Sequence, residues 1–184
     1  MEVKGTAVES IPLFVKEKFG ERYEEWLNSL PPKSREIMTK PILAAIWYPL
    51  EEAFIIPTLK ICELFYNGDL RGAWEAGRFS ADFALRGIYK VFVKIGSPGF
   101  IIDRASIIFS NYYRPSKMEV VERGKNRAVL HITEFGKPHI VVEYRIAGWC
   151  ERALEISGCK DVKFTITKSL TRGDKYTEIV GEWR

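Results

Sequence analysis

Two periods alternate among the hydrophobic positions of this 184-residue sequence. Up to about Tyr112, apolar residues recur three or four apart, the spacing of amphipathic helices. Beyond Pro115 they alternate with polar residues, the spacing of strands. Ser10 followed by Ile11 and Pro12 predicts a helix start, with Leu13, Phe14, Val15 and Phe19 as its apolar positions and Gly20 as its stop. Tyr23, Trp26, Leu27 and Leu30 predict a second piece that Pro31 and Pro32 end, and Ser34 opens a short turn that Pro41 closes. Residues 42–67 predict a strongly apolar helix with Pro49 in its first turn, a kink or break at Pro57, and Gly68 at its end. Asp69 caps a long helix over 70–95, and Ser97-Pro98 starts another that runs to Tyr112.

After Pro115, residues 117–122 and 128–133 predict a hairpin around Arg123-Gly124-Lys125-Asn126. The pivotal stretch is His139 to Gly158. Ile140, Val142, Tyr144 and Ile146 share one face of a strand, and Val141, Glu143 and Arg145 the other. At Gly148 the spacing turns helical through Trp149, Ala153, Leu154 and Ile156, so Gly148 is expected to be a hinge between strand and helix. Val162, Phe164 and Ile166, a turn over 171–174, and the stretch 176–183 predict two final strands. The fold expected is α+β: N-terminal helices packed on an antiparallel sheet of about five strands with one inserted helix. Residues 1–40 form a helical arm and 41–184 a ligand-binding-like domain, together one compact unit.

Composition narrows the class. Hydrophobic residues make up 46% and charged residues 28%, which implies a packed core rather than disorder. The net charge of +4 has no run of like charge behind it, so no nucleic-acid partner is expected. Three cysteines without metal spacing and an N-terminus too polar for a secretory signal point to reduced thiols and a soluble cytoplasmic protein. Every long apolar run is interrupted by charge or proline, so no transmembrane segment is expected.

Chemistry is harder to find. His131 and His139 have no carboxylate or thiol at ligand spacing, so both are expected to be ordinary histidines and no metal site is predicted. Cys150 is either a reactive thiol at a helix N-terminus or, the plainer account, a small buried apolar residue; Cys62 lies in a more apolar setting still. Glu51 and Glu52 are polar anchors in a cavity or acids offsetting a helix dipole. Arg78, Asp82 and Arg86, four apart, are ligand-binding charges or an ion-pair ladder. Gly72, Ala73, Ala76, Gly77, Ser80, Ala81, Ala84 and Gly87 form a small-residue face that a second helix or a ligand approaches. Neither a phosphate loop, a nucleophile elbow nor a zinc signature occurs.

Several spaced residues carry a resemblance: Trp47-Tyr48-Pro49 with Glu51, then Gly68, Gly77 and Gly87, then Lys94-Ile95-Gly96-Ser97-Pro98, then Arg145-Ile146-Ala147-Gly148-Trp149 with Leu154, Glu155 and Gly158. Over about residues 40–184 the pattern resembles a family of uncharacterised bacterial proteins numerous in myxobacteria. That family is similar to the haem nitric-oxide-binding domain, the 4-vinyl reductase domain and the TRAPP subunits. The stretch from Gly173-Asp174 to Ile179 is similar to the last turn and strand of the 4-vinyl reductase domain, without its cysteines. The resemblance implies an α+β domain around an apolar cavity, often dimeric through its helical face. The chain also lacks the Tyr-x-Ser-x-Arg motif and the helical proximal histidine of the haem-binding relatives, so no haem and no other cofactor are expected.

The function expected is non-catalytic binding or sensing of an apolar small molecule. Its lining is expected from Trp47, Phe83, Tyr89, Phe109, Tyr144, Trp149 and Cys150. The alternative is a dimeric scaffold resembling TRAPP subunits, with the small-residue face as its interface. An enzyme, resting on Cys150 and scattered acids, is the minority expectation.

Overall fold

The computed structural model describes residues 1–86 and 98–184. Strand β1 (Glu2–Lys4) runs straight into α1 (Gly5–Phe19). A 3₁₀ turn, α2 (Tyr23–Ser29) and α3 (Pro32–Thr39) follow, then β2 (Trp47–Pro49), a π-helical turn over Glu51–Ile55, and α4 (Ile56–Phe65). Next come α5 (Arg71–Arg86), α6 (Pro98–Asp103), α7 (Ala105–Tyr112) and β3 (Tyr113–Arg114). The C-terminal part holds β4 (Ser116–Arg123), β5 (Arg127–Phe135), α8 (Ile140–Ile156), β6 (Lys163–Lys168) and β7 (Thr177–Glu182). The class is α+β, with helices on antiparallel sheets. A small sheet has the order β2-β1-β3, and the main sheet the order β4-β5-β7-β6.

Much of the predicted order is realised. The hairpin pairs Met118 with Ile132 and Val120 with Leu130. Asn67 and Gly68 both adopt positive φ after α4, and the Asp69 carboxylate accepts from the Arg71 amide at 2.8 Å to open α5. Pro57 falls in the first turn of α4, where the π-helical turn gives way to α-helix. Pro49, by contrast, ends a strand instead of opening a helix, because β1 captures the backbone of 47–49 by pairing Val3 with Tyr48. Helix α1 likewise starts at Gly5, not at Ser10, and Pro12 lies inside it.

The largest correction concerns residues 140–146, which are the first turns of α8 and belong to no sheet. A seven-residue stretch with apolar residues at five positions and charges at Glu143 and Arg145 satisfies both a two-residue and a 3.6-residue period. Burial does not alternate, as a strand with one covered face requires: Val141 to Glu143 and Arg145 to Gly148 are buried in succession, with Ala153 and Leu154 beyond. β-Branched residues lose only some tenths of a kcal/mol in a helix, whereas burying one such side chain gains about 1.5–3 kcal/mol. His139 starts the helix by accepting the Val141 amide on Nδ1.

Gly148 is therefore no hinge. It sits inside α8 where that helix crosses α5, and a Cβ there would stand 2.2 Å from the Trp74 carbonyl oxygen. The contact is reciprocal, since a Cβ on Gly77 of α5 would stand 2.2 Å from the Arg145 carbonyl oxygen. The small residues predicted to admit a second helix do so within the same chain: Ala73, Ala76 and Ala81 are buried. Gly87 lies outside the described residues. Around this crossing Val8, Ile11 and Phe14 of α1 share one hydrophobic core with Val141 and Ile146 of α8 and with Leu130, Ile132 and Ile179 of the main sheet.

Replacing Gly148 by alanine tests the crossing. Helix propensity alone favours alanine by about 1 kcal/mol, but forcing a methyl against a carbonyl costs about 3 kcal/mol. Gly148→Ala should therefore lower the urea midpoint by the equivalent of about 2 kcal/mol; a raised midpoint would show that the helices part freely.

Candidate ligand-binding site

Helix α8 carries two kinds of buried face. Toward the sheet end, Glu143 accepts from Ser169 Oγ at 2.6 Å and Thr177 Oγ1 at 2.5 Å, which fastens α8 to the turn before β7. On another side Arg145, Ile146, Trp149, Cys150 and Leu154 form one wall of an apolar cavity. Helix α5 contributes Gly77 and Ser80, α6 contributes Ile101 and Ile102, and α7 contributes Ala105, Ile108, Phe109 and Tyr112. The main sheet closes the cavity with Met118, Ala128, Leu130 and Phe164, and Ala7, Phe54 and Tyr113 complete it. The cavity volume, counted as the space open to the centres of water-sized spheres, is about 70 Å³. One buried water needs about 10–15 Å³ on the same measure.

Arg145 is the one charged side chain in this wall among the described residues. It is 2% exposed, and every acceptor it finds is uncharged: Thr58 Oγ1 at 3.2 Å, Ser10 Oγ at 3.2 Å and the Ala76 carbonyl at 3.4 Å. Its guanidinium also lies 4.2 Å over the Phe54 ring. Burial lowers its pKa to about 10, opposed by the Tyr113 phenol and the Cys62 thiol, and it stays charged at neutral pH. Both of those neighbours are themselves held protonated by burial. One turn along α8, the Trp149 indole Nε1 is buried without a hydrogen-bond partner among the described residues.

The residues expected to line a site are dispersed. Phe109, Trp149 and Cys150 stand in the cavity wall. Trp47 does not: it lies on β2 between Arg114 at 4.1 Å and Lys4 at 4.7 Å. Tyr144 packs edge-on against Trp74 instead, and Phe83, half-buried on α5, is not in the wall. Tyr89 lies outside the described residues. Cys150 is not at a helix N-terminus, because α8 begins at Ile140; burial pushes its thiol up to about 12. Glu51 pairs with Lys137, and neither it nor Glu52 reaches the cavity.

The charges along α5 pair both along that helix, where Arg71 and Arg78 each approach Glu75 at 3.9 Å, and across to α8. Arg78 binds Glu151 at 2.5 Å and Glu155 at 2.8 Å, while Arg152 binds Asp82 at 3.0 Å. The Arg86 side chain lies outside the described ones. Of the histidines, His131 Nε2 meets Glu178 at 2.8 Å with its ring stacked on Tyr176, and His139 caps α8; neither lines the cavity. Among the described residues no cluster of three or more histidine, cysteine or acidic side chains could hold a metal, and no helix is long and apolar enough to cross a membrane. The sequence had one signal for Arg145 that went unused: on a helix it shares a face with Val141, Val142, Ile146 and Trp149.

The fold has clear structural counterparts. An H-NOX protein from S. oneidensis in the Fe(II)NO ligation state superposes with a TM-score of 0.75 at 14% identity, covering 98% of this chain and 99% of that one. Fe(II) unliganded H-NOX from K. algicida gives 0.69 at 9% identity, covering 98% and 96%. A mutant of T. Tengcongensis H-NOX gives 0.68 at 13% identity, covering 98% and 97%. The chain thus has the H-NOX fold over nearly its full length. No protein-family profile matches the sequence, and no curated protein does.

The thiols give a direct check on burial. In the folded protein at pH 8, Ellman's reagent should leave buried Cys62 unmodified and react only slowly with half-buried Cys150 and Cys159, whose thiols burial holds protonated; all three should react in guanidinium.

Proposed function

We propose that this chain is a non-catalytic, small-molecule-binding domain of the sensory kind, which takes an apolar ligand in the cavity beneath α8. The carrying observation is the cavity itself: walls from five helices and a sheet, almost wholly apolar, with a few polar groups. Phe109 and Trp149 offer ring faces to the ligand, and Cys150 a neutral, polarisable contact. The H-NOX neighbours, solved in Fe(II) and Fe(II)NO states, lend support by fold, since one of them holds a small ligand, NO.

Haem does not fit the residues present. Haem iron needs an axial donor, most often histidine. Both histidines of this chain are engaged away from the cavity, and the Cys150 thiol and Tyr113 phenol in its wall are held protonated by burial. An organic apolar ligand is the better match. The scaffold alternative loses its main support, because the small-residue face of α5 that suggested a partner packs within the same chain, at Gly72 against Cys62 and Tyr66 and at Gly77 against α8.

A neutral apolar fluorophore such as N-phenyl-1-naphthylamine should bind saturably, one per chain, with an emission rise. Ala105→Trp, which fills the cavity from α7, should abolish that signal while leaving the far-ultraviolet circular dichroism unchanged. Unaltered binding in the filled variant would locate the dye elsewhere and remove the cavity from the function.

A further inference from the structure

Three features compete for attention outside what has been assigned: the Glu143 cluster, the ion-pair network between α5 and α8, and Arg145. Glu143 is saturated by Ser169 and Thr177, and the network charges pair with one another. Arg145 differs, because it is a buried cation with no carboxylate within ion-pair distance among the described residues. Buried ions are normally paired, and leaving one with neutral partners alone costs several kcal/mol. Its three hydrogen bonds run at 3.2–3.4 Å, longer than the 2.7–2.9 Å usual for a charged donor on a charged acceptor. A fold needing only a brace between α1, α4 and α5 could use an uncharged side chain there.

From the cavity wall that Arg145 shares with Phe109 and Trp149, we infer that the ligand is an apolar monoanion. Its carboxylate meets the Arg145 guanidinium, and its hydrocarbon part lies along Ile101, Ile108 and Leu130. This rests on the cavity being the binding site, and it adds the chemical class of the ligand. The geometry favours one anionic group over two, since Arg145 is the single charged group in the described wall. Charge would be matched where water is excluded, so the pair would be strong per contact. The unpartnered Trp149 N–H, one turn away on the same helix, is a second donor for an oxygen of the ligand. No covalent step is involved.

The test compares octanoate with 1-octanol, which share a chain length and differ in head group. Each is titrated against the naphthylamine probe bound to the full-length protein at pH 7. Octanoate should displace the probe about tenfold more effectively than octanol, the advantage of a charge-assisted hydrogen bond after desolvation of the acid. In Arg145→Met the preference should vanish or invert. Equal displacement by acid and alcohol in the unaltered protein would overturn the assignment to Arg145 and leave the cavity reading intact. If neither competes while the probe still binds to unaltered protein and to Ala105→Trp alike, the cavity reading fails as well, and this inference with it. Should Arg145→Met not fold, the acid-to-alcohol ratio in unaltered protein decides alone.

Discussion

The structure depends on how closely α5 and α8 approach. Gly77 and Gly148 each place their backbone against the carbonyl of the other helix, at Arg145 and Trp74, a separation that any side chain would prevent. That contact fixes the rotation of α8 about its own axis. Val141 and Val142 then turn into the core, Trp149 and Cys150 line the cavity between α7 and the sheet, and Arg145, which also lines it, reaches across to α1, α4 and α5. On the outer side of the same crossing, Arg78, Glu151, Glu155, Arg152 and Asp82 neutralise one another across the two helices. A close backbone approach and a partly exposed charge lattice thus hold one joint from opposite sides.

The cavity follows from this joint rather than from any loop. Its walls are helices and strands whose positions are set by packing, so the polar groups within it are held in place by the fold. Arg145 shows the consequence most clearly. Its backbone is part of the helix crossing, and its side chain reaches Ser10 of α1, Thr58 of α4 and the Ala76 carbonyl of α5. The one charged residue of the described wall is tied to the three helices around it. Likeness to H-NOX proteins covers 98% of the chain at 9–14% identity, so the architecture persists where little of the sequence does.

Some of the site was legible beforehand. Phe109 stood on an unambiguous apolar helical stripe, and Trp149 and Cys150 lay on the helical side of Gly148, where the spacing was read correctly. Trp47 and Tyr144 were assigned to the lining for their size alone; one is held between two cations near the small sheet, the other against Trp74. Arg145 was overlooked because charge in a sequence signals solvent by default, and its burial comes from elements 69 or more residues away in sequence.

By itself the sequence determined what is local: the β4–β5 hairpin from its alternation and turn, the end of α4 at Gly68, the Asp69 cap, and the α+β order of helices before strands. These depend on backbone preferences and on neighbours a few residues apart. Tertiary structure alone decided the state of residues 140–146, where strand and helix periods coincide over so short a run. There the outcome turned on what α5 and the sheet could bury. It also decided that Gly77 of α5 and Gly148 of α8 each lie against the other helix's backbone, because such a contact needs two surfaces, and a sequence displays them only one at a time.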